Sequence, residues 1–194
     1  MAERERRHAR PRGALFVPRT QLLSALEVDR AVRRMAHEVL EHNDDIDRLV
    51  VIGLQTGGVP FAELLANDLA GITNRPITNR PIATGALDVA SYRDDVSLHP
   101  VLDAVETDID VDLTDKTVLL VDDVLYTGRT IRAALNALSD WGRPRAIELA
   151  VMVDRGHREL PIRPDYVGKN LPTSREEAID ASLDGVWIGT LVAR

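Results

Sequence analysis

The sequence predicts an α/β fold, with a mostly parallel central sheet flanked by helices. Three observations carry this expectation. Leu49–Leu54, Thr117–Val121 and Ala146–Val153 are continuous aliphatic runs, the pattern of strands buried on both faces. Segments with helical periodicity alternate with them, as in repeated strand–helix units. Glycines at 57, 58, 71, 128 and 142 stand at the junctions, where tight turns and helix ends need them. The length of 194 residues suits one domain with a well-buried core. That domain is assigned to residues 21–194.

Residues 1–20 carry Arg4, Arg6, Arg7, Arg10 and Arg12, contain Pro11 and Pro18, and show neither helical nor strand periodicity. They are expected to be a mobile Arg-rich tail, solvated or touching a polyanion. The apolar run Ala14–Val17 is too short for a secretory signal. Ser24 followed by Glu27 reads as a capping box opening the first helix. Val28, Val32, Met35 and Val39 then share one face, Arg30, Arg33, Arg34 and His37 the other, and Asn43 ends it. After the first buried strand and the tight loop Gln55–Gly58, a second helix runs from Pro60 to Ala70, with Gly71 as its stop. Residues 73–82 repeat Thr-Asn-Arg-Pro-Ile twice, a small duplication in a surface connection. Ile82–Tyr92 is expected as a strand and about 93–116 as a long flexible loop. A third helix should follow Thr130 and reach about Trp141 before Gly142. From Tyr166 onward, Val186–Val192 included, short edge strands are expected.

Composition narrows the function. Hydrophobic residues make up 44% and charged residues 28%, ordinary for a globular protein. There is no stretch long and apolar enough to span a bilayer, so no membrane partner is expected. The absence of cysteine removes disulfides and thiolate metal sites and suits a cytoplasmic protein. A net charge of −7 argues against indiscriminate nucleic-acid binding, which needs a basic surface. The charges are segregated, however: acids crowd the stretch from Ala86 to Asp115, and Arg155, Arg158, Arg163, Lys169 and Arg175 gather further on. Aromatic content of 4% excludes an aromatic stacking platform for single strands. The five histidines, at 8, 37, 42, 99 and 157, form no metal-ligand spacing.

The segment Val118–Thr130 carries the chemistry. Four aliphatic residues lead to Asp122 and Asp123 at the carboxyl end of a central strand, where open α/β sheets place their ligands. Val124, Leu125, Tyr126, Thr127, Gly128, Arg129 and Thr130 then run into a helix. Helix N-terminal amides carry partial positive charge and bind phosphate; Gly128 permits close approach, and the Thr127 and Thr130 hydroxyls add donors. Asp122 and Asp123 can accept from ribose hydroxyls or hold a water bound to Mg²⁺. Two solvated carboxylates capping a strand would repel and gain nothing from packing. The other rival, the acidic strand of a P-loop NTPase, needs a Gly-Lys-Ser/Thr loop, and neither Lys116 nor Lys169 stands in one.

This segment resembles the PRPP-binding signature of type I phosphoribosyltransferases. Together with Tyr92-Arg93-Asp94-Asp95, Val153–Arg163 and Asp165–Asn170, it resembles the PyrR family, over most of the chain from about Ser24 to Arg175. The resemblance implies a type I phosphoribosyltransferase fold with a small hood, about 154–175, and a flexible loop. It implies a pyrimidine-nucleotide-sensing regulator that binds the leader of pyr mRNA, and uracil phosphoribosyltransferase activity converting uracil and PRPP to UMP and pyrophosphate. By the same resemblance, Asp122 and Asp123 hold the ribose and stand at the catalytic centre, and Thr127–Thr130 hold the 5′-phosphate. Gln55, Thr56, Gly57 and Gly58 form the pyrophosphate loop. Arg93, Asp94 and Asp95 lie on the closing loop, and Arg155, Gly156 and His157 lie over uracil. Arg34, His37, Arg158, Arg163 and Lys169 match the RNA-binding surface. Mg²⁺ is expected mainly on the substrate's phosphates, with UMP and UTP as effectors and a homodimer or higher homo-oligomer as the assembly. From spacing alone, His37 also reads as an exposed histidine beside Glu41, and the 155–169 cluster as a salt-bridged loop using Asp154, Glu159 and Asp165.

One position departs from the family pattern: the pyrophosphate loop usually carries Thr-Arg-Gly, and here Gly57 replaces the arginine. A charge-assisted contact contributes on the order of 1.5–3 kcal/mol, so turnover could fall roughly ten- to a hundredfold. Two alternatives therefore stay open: a transferase for another base without an RNA role, and a catalytically silent nucleotide-responsive regulator.

Overall fold

The computed structural model describes residues 14–73, 82–92 and 106–193. Its centre is a five-stranded sheet in the order β3-β2-β4-β5-β6, built from β2 (Leu49–Leu54), β3 (Ala83–Leu87), β4 (Thr117–Leu125), β5 (Ala146–Asp154) and β6 (Tyr166–Asn170). Every pairing in it is parallel. The aliphatic runs explain why. All six residues of β2 are buried, and Val118 to Leu120 of β4 are fully so, which demands cover on both faces. On one face α1 (Ala25–His42) and α2 (Gly58–Ile72) pack Val32, Met35, Val39, Phe61, Leu65 and Leu69 against Val51, Leu119 and Met152. On the other, α3 (Arg129–Leu138) packs Ile131, Ala134 and Leu138 against Ile52, Leu120 and Val151. Truncating one of these large side chains to alanine would cost about 2–5 kcal/mol.

Helix α1 starts as its sequence dictates: the Ser24 backbone N–H and hydroxyl both donate to Glu27 Oε2, at 2.8 and 2.7 Å. It ends at Asn43, whose N–H donates to Val39 O at 3.0 Å. Helix α2 runs through Gly71 to Ile72, one residue past the expected stop. Thr73 ends it instead, its hydroxyl donating to Leu69 O at 2.9 Å.

Four expectations are corrected. Residues 14–20, read as tail, belong to β1 (Ala14–Ser24), which pairs antiparallel with β8 (Gly185–Ala193). Their partner lies at the far end of the chain, so no local pattern announces it. Residues 106–116, read as part of the flexible loop, are held to the sheet. Ala86 and Asp108 exchange two 2.8 Å backbone hydrogen bonds, and Leu113 is fully buried. The acids are exposed at 106, 108, 110 and 112 while Thr107, Ile109, Val111 and Leu113 turn inward, a period-two alternation that the acidity masks. The expected strand Ile82–Tyr92 shortens to β3 and closes with a 3₁₀ turn, Ala90–Tyr92. The C-terminal strands are also not all at the edge of the main sheet. β6 is, whereas β7 (Glu177–Ser182) and β8 join β1 in a separate antiparallel sheet, ordered β1-β8-β7. This second sheet therefore joins the N-terminal strand to the C-terminal ones. Residues 1–13, the duplicated segment at 74–81, and the loop positions Arg93, Asp94 and Asp95 lie outside the described residues.

Candidate functional site

Strand β2 is followed by α2 and then by β3 on one side, while β4 lies on its other side. The connections diverge between β2 and β4, so a crevice opens at their carboxyl ends. Both following helices start there. Gln55, Thr56 and Gly57 turn directly into α2, with a cis peptide between Gln55 and Thr56. Tyr126, Thr127 and Gly128 turn into α3. The first turn packs against the end of β4: a β-carbon at Gly58 would stand 2.2 Å from Val121 O, and one at Gly57 would stand 2.3 Å from Asp123 Oδ2. The sequence-expected groups Asp122–Thr130 and Gln55–Gly58 are thus brought together.

Gly128 has φ of +90°, a left-handed conformation that glycine adopts without strain. It caps α3, its carbonyl accepting from Arg132 N at 3.0 Å. A β-carbon at this position would come within 3.3 Å of Ile162 Cδ1, so the loop is backed by the segment after β5. That segment is also hydrogen-bonded to it: Glu159 N and Leu160 N both donate to Thr127 O, at 3.0 and 3.2 Å, and Arg129 Nε pairs with Glu159 at 2.8 Å. At the strand end, Asp122 is buried and its Oδ1 accepts from Asp123 N at 2.9 Å. Asp123, half-buried on the other face, accepts from Val124 N at 2.8 Å. Two helix N-termini and backbone amides thus stand beside two carboxylates, which suits an anion joined to a polyhydroxyl group.

Arg155, Gly156 and His157 follow β5 and reach the same loop from above, through Tyr126. The Arg155 guanidinium carbon lies 4.1 Å over the Tyr126 ring, and the His157 ring meets that ring edge-on at 5.9 Å. Arg155 is buried, and it donates from Nε to Thr173 Oγ1 at 3.1 Å and from Nη2 to Ser174 O and Glu177 O at 3.0 and 2.6 Å. Burial lowers its pKa from the ordinary arginine value, opposed by Tyr126 and Glu177. The His157 Nε2 sits against Thr173 O. Both side chains therefore fasten the hood to the loop. Sequence reasoning missed Thr173, Ser174 and Glu177 as their partners, and nothing local marks them.

The candidate RNA surface divides. Arg34 donates to Val167 O and Gly168 O at 2.9 and 2.8 Å and pairs with Glu38. Arg158 donates to Tyr126 O, Gly156 O and Ile162 O and pairs with Asp154 at 2.5 Å, whereas Glu159 pairs with Arg129 and Asp165 accepts from Leu149 N. His37, Arg163 and Lys169 are exposed. Among the described residues no three His, Asp or Glu side chains converge into a metal cage, and no helix is long and apolar enough to cross a membrane.

The model of the phosphoribosyl transferase domain matches residues 18–184. Among curated proteins, the chain is 48% identical over 177 residues to the bifunctional protein PyrR of Acetivibrio thermocellus, covering 88% of this chain and 92% of that one. It is 51% identical over 178 residues to the protein of the same name from Deinococcus deserti, covering 89% and 93%. Among solved structures, a hypoxanthine-guanine phosphoribosyltransferase from Bacillus anthracis superposes with a TM-score of 0.66 at 19% identity, covering 88% of this chain and 98% of that one. A hypoxanthine phosphoribosyltransferase from Staphylococcus aureus superposes with a TM-score of 0.67 at 20% identity, covering 90% and 92%. These structural likenesses bear on the fold alone, and they agree with the type I phosphoribosyltransferase architecture.

Proposed function

Because the chain belongs to the PyrR family of phosphoribosyl transferase domain proteins, we propose that it is a bifunctional regulator and enzyme. It senses pyrimidine nucleotides, binds pyr leader RNA, and makes UMP and pyrophosphate from uracil and PRPP. One observation carries the ligand-binding part. The Thr127–Thr130 loop at the α3 N-terminus, the Asp122–Asp123 pair and the Gln55–Gly58 turn meet in one crevice at the sheet's switch point.

In this reading the 5′-phosphate accepts from the amides and hydroxyls of the 127–130 loop, and Asp122 and Asp123 accept from the ribose hydroxyls. Breaking the bond from C1 to pyrophosphate leaves positive charge on the ribose and negative charge on the leaving group. Amides at the start of α2 face the leaving group and the aspartates face the ribose, so each developing charge meets fixed charge of opposite sign. Uracil N1 bonds to C1 as the bond from C1 to pyrophosphate breaks, and its proton passes to water or the released pyrophosphate; no covalent intermediate on the protein is required. Asp122 or Asp123 would help hold Mg²⁺ brought mainly by the substrate's phosphates, and the ion would neutralise leaving-group charge. The Gln55–Gly58 turn carries no cationic side chain, so a transferase slower than one with arginine at position 57 is expected.

For RNA, the arginines at 34 and 158 already serve the protein's own carbonyls. Contact with phosphates or splayed bases is therefore assigned to His37, Arg163 and Lys169. A homo-oligomer in the cytoplasm completes the proposal. The experiment is paired: UMP formation from uracil and PRPP, and filter binding to pyr leader RNA with and without UMP. Uracil turnover together with UMP-dependent RNA binding supports the reading. Turnover without RNA binding selects a transferase alone, and UMP-dependent binding without turnover selects a silent regulator.

A further inference from the structure

We infer that Gly57 is a positioning residue: by lacking a side chain it lets the Asp123 carboxylate lie over the pyrophosphate loop, and so fixes how that carboxylate meets the ribose. The inference rests on the assignment of Asp123 to the ribose hydroxyls made above.

A β-carbon at Gly57 would stand 2.3 Å from Asp123 Oδ2, 2.5 Å from its Cγ and 3.0 Å from its Oδ1. Carbon and oxygen in van der Waals contact sit well outside those distances, so something must move. The next glycine makes the contrast. At Gly58 the obstacle is main chain, the Val121 carbonyl oxygen at 2.2 Å and Asp122 Cα at 3.0 Å. At Gly57 it is only the end of one side chain. The backbone raises no objection either, because Gly57 has φ of −75° and ψ of −33°, helical values open to any L-residue. The two neighbouring glycines therefore serve different ends. Gly58 lets two backbones approach, and Gly57 leaves a berth for a carboxylate.

That berth has a second wall. Asp123 Oδ1 accepts from its neighbour's amide, Val124 N, at 2.8 Å. A side chain at position 57 closes the berth from the loop side and forces Asp123 to another rotamer. Its effect is then felt at the ribose as well as at the pyrophosphate. An arginine at 57 would likewise act twice, bringing a cation to the leaving group while its β-carbon unseats Asp123. The loss of charge at this position is thus only half of what the glycine changes.

UMP separates the halves, since it carries ribose and 5′-phosphate but no pyrophosphate. Calorimetry would compare UMP and pyrophosphate binding, each with Mg²⁺, to the full-length wild type and to Gly57→Ala, Gly57→Arg, Asp123→Asn and Gly57→Ala/Asp123→Asn. Gly57→Ala should melt cooperatively near the wild-type temperature and bind UMP about five- to tenfold more weakly, the scale of one mis-aimed hydrogen bond to a charged group. Pyrophosphate affinity should change less. In the double variant the alanine should add nothing to the loss from Asp123→Asn. Gly57→Arg should bind pyrophosphate more tightly and UMP more weakly than wild type. Unaltered UMP affinity in Gly57→Ala, additive losses in the double variant, tighter UMP binding in Gly57→Arg, or loss of the cooperative transition in Gly57→Ala each overturns the inference. A wild type that binds no UMP overturns the functional reading itself, and this inference with it.

Discussion

Replacing Arg155 by methionine tests whether that arginine is a base contact or the rivet joining hood to sheet. Methionine keeps the unbranched apolar stem and removes the donors. Three hydrogen bonds go, to Thr173 Oγ1, Ser174 O and Glu177 O, together with the guanidinium over Tyr126 at 4.1 Å. The acceptors lie near exposed Ser174 and can take water instead, so each bond counts for about 1 kcal/mol, and the cation–π contact for about 1 kcal/mol more. Against that stands the burial of a charge, which the lowered pKa of Arg155 reports and which methionine avoids. The net expectation is a loss of roughly 2–3 kcal/mol. For a chain of this length that is a fall of about 4–12 °C in Tm. Urea unfolding followed by circular dichroism and a thermal scan would measure it. A variant within about 0.5 kcal/mol of wild type, the size of an ordinary surface change, would refute the rivet and return Arg155 to the base.

Gly58→Ala should be far more damaging than Gly57→Ala. Its β-carbon meets the Val121 carbonyl of β4 at 2.2 Å, so a loss of at least about 2 kcal/mol is expected in urea unfolding, with PRPP binding lost alongside. Arg34→Ala should destabilise by about 1–2 kcal/mol, because two carbonyls of edge strand β6 lose their donor. Lys169→Ala, exposed on the same strand, should leave Tm unchanged while weakening RNA binding and reducing its salt slope by about 1. Asp68 provides the pH test. Its Oδ2 is buried without a hydrogen-bond partner, and desolvation, then Asp29, raise its pKa above the ordinary carboxylate value. The folded state thus holds this proton more tightly than the unfolded state, and stability is lost as pH rises from the ordinary value through the raised one. Asp68→Asn should raise Tm at pH 7, and the gain should vanish as pH falls below the carboxylate range. A gain that persists in acid would contradict this.

The central sheet was legible because its strands are buried on both faces, and burial on both faces writes itself as an unbroken aliphatic run. Strands with one wet face were harder. β1 contains Arg19 and Pro18 and leaves Leu15 and Val17 exposed. Its register is set by β8 at the other terminus and its position by Arg19 pairing with Glu177. The 106–113 segment did alternate, but with acids on its wet face it read as loop. The strand–turn–helix assigned above to a phosphate was legible because a strand, two acids, a glycine turn and a helix start are contiguous. What Arg34, Arg155 and Arg158 do was not, since their acceptors are mostly backbone carbonyls, which no side-chain pattern encodes, and lie up to 134 residues away for Arg34. A basic residue on a surface stripe reads as a partner contact until its donors are traced.

In the proposed site, a chain of net charge −7 would hold a polyanion beside two carboxylates and a turn, Gln55–Gly58, that has no cationic side chain. The charge is supplied by backbone. α2 and α3 are 15 and 10 residues long, and both begin at the carboxyl ends of adjacent parallel strands, so their N-terminal amides open on one crevice. Each end carries about half a positive charge, felt within the first turn, so a ligand must come close to main chain to use it. Close approach is what the glycines at 58 and 128 permit, one by admitting β4 and the other by a left-handed turn. The site therefore depends on backbone geometry more than on net charge, and surface charge reversals that leave both turns intact should change encounter rates and salt dependence before they change the affinity for a ribose phosphate.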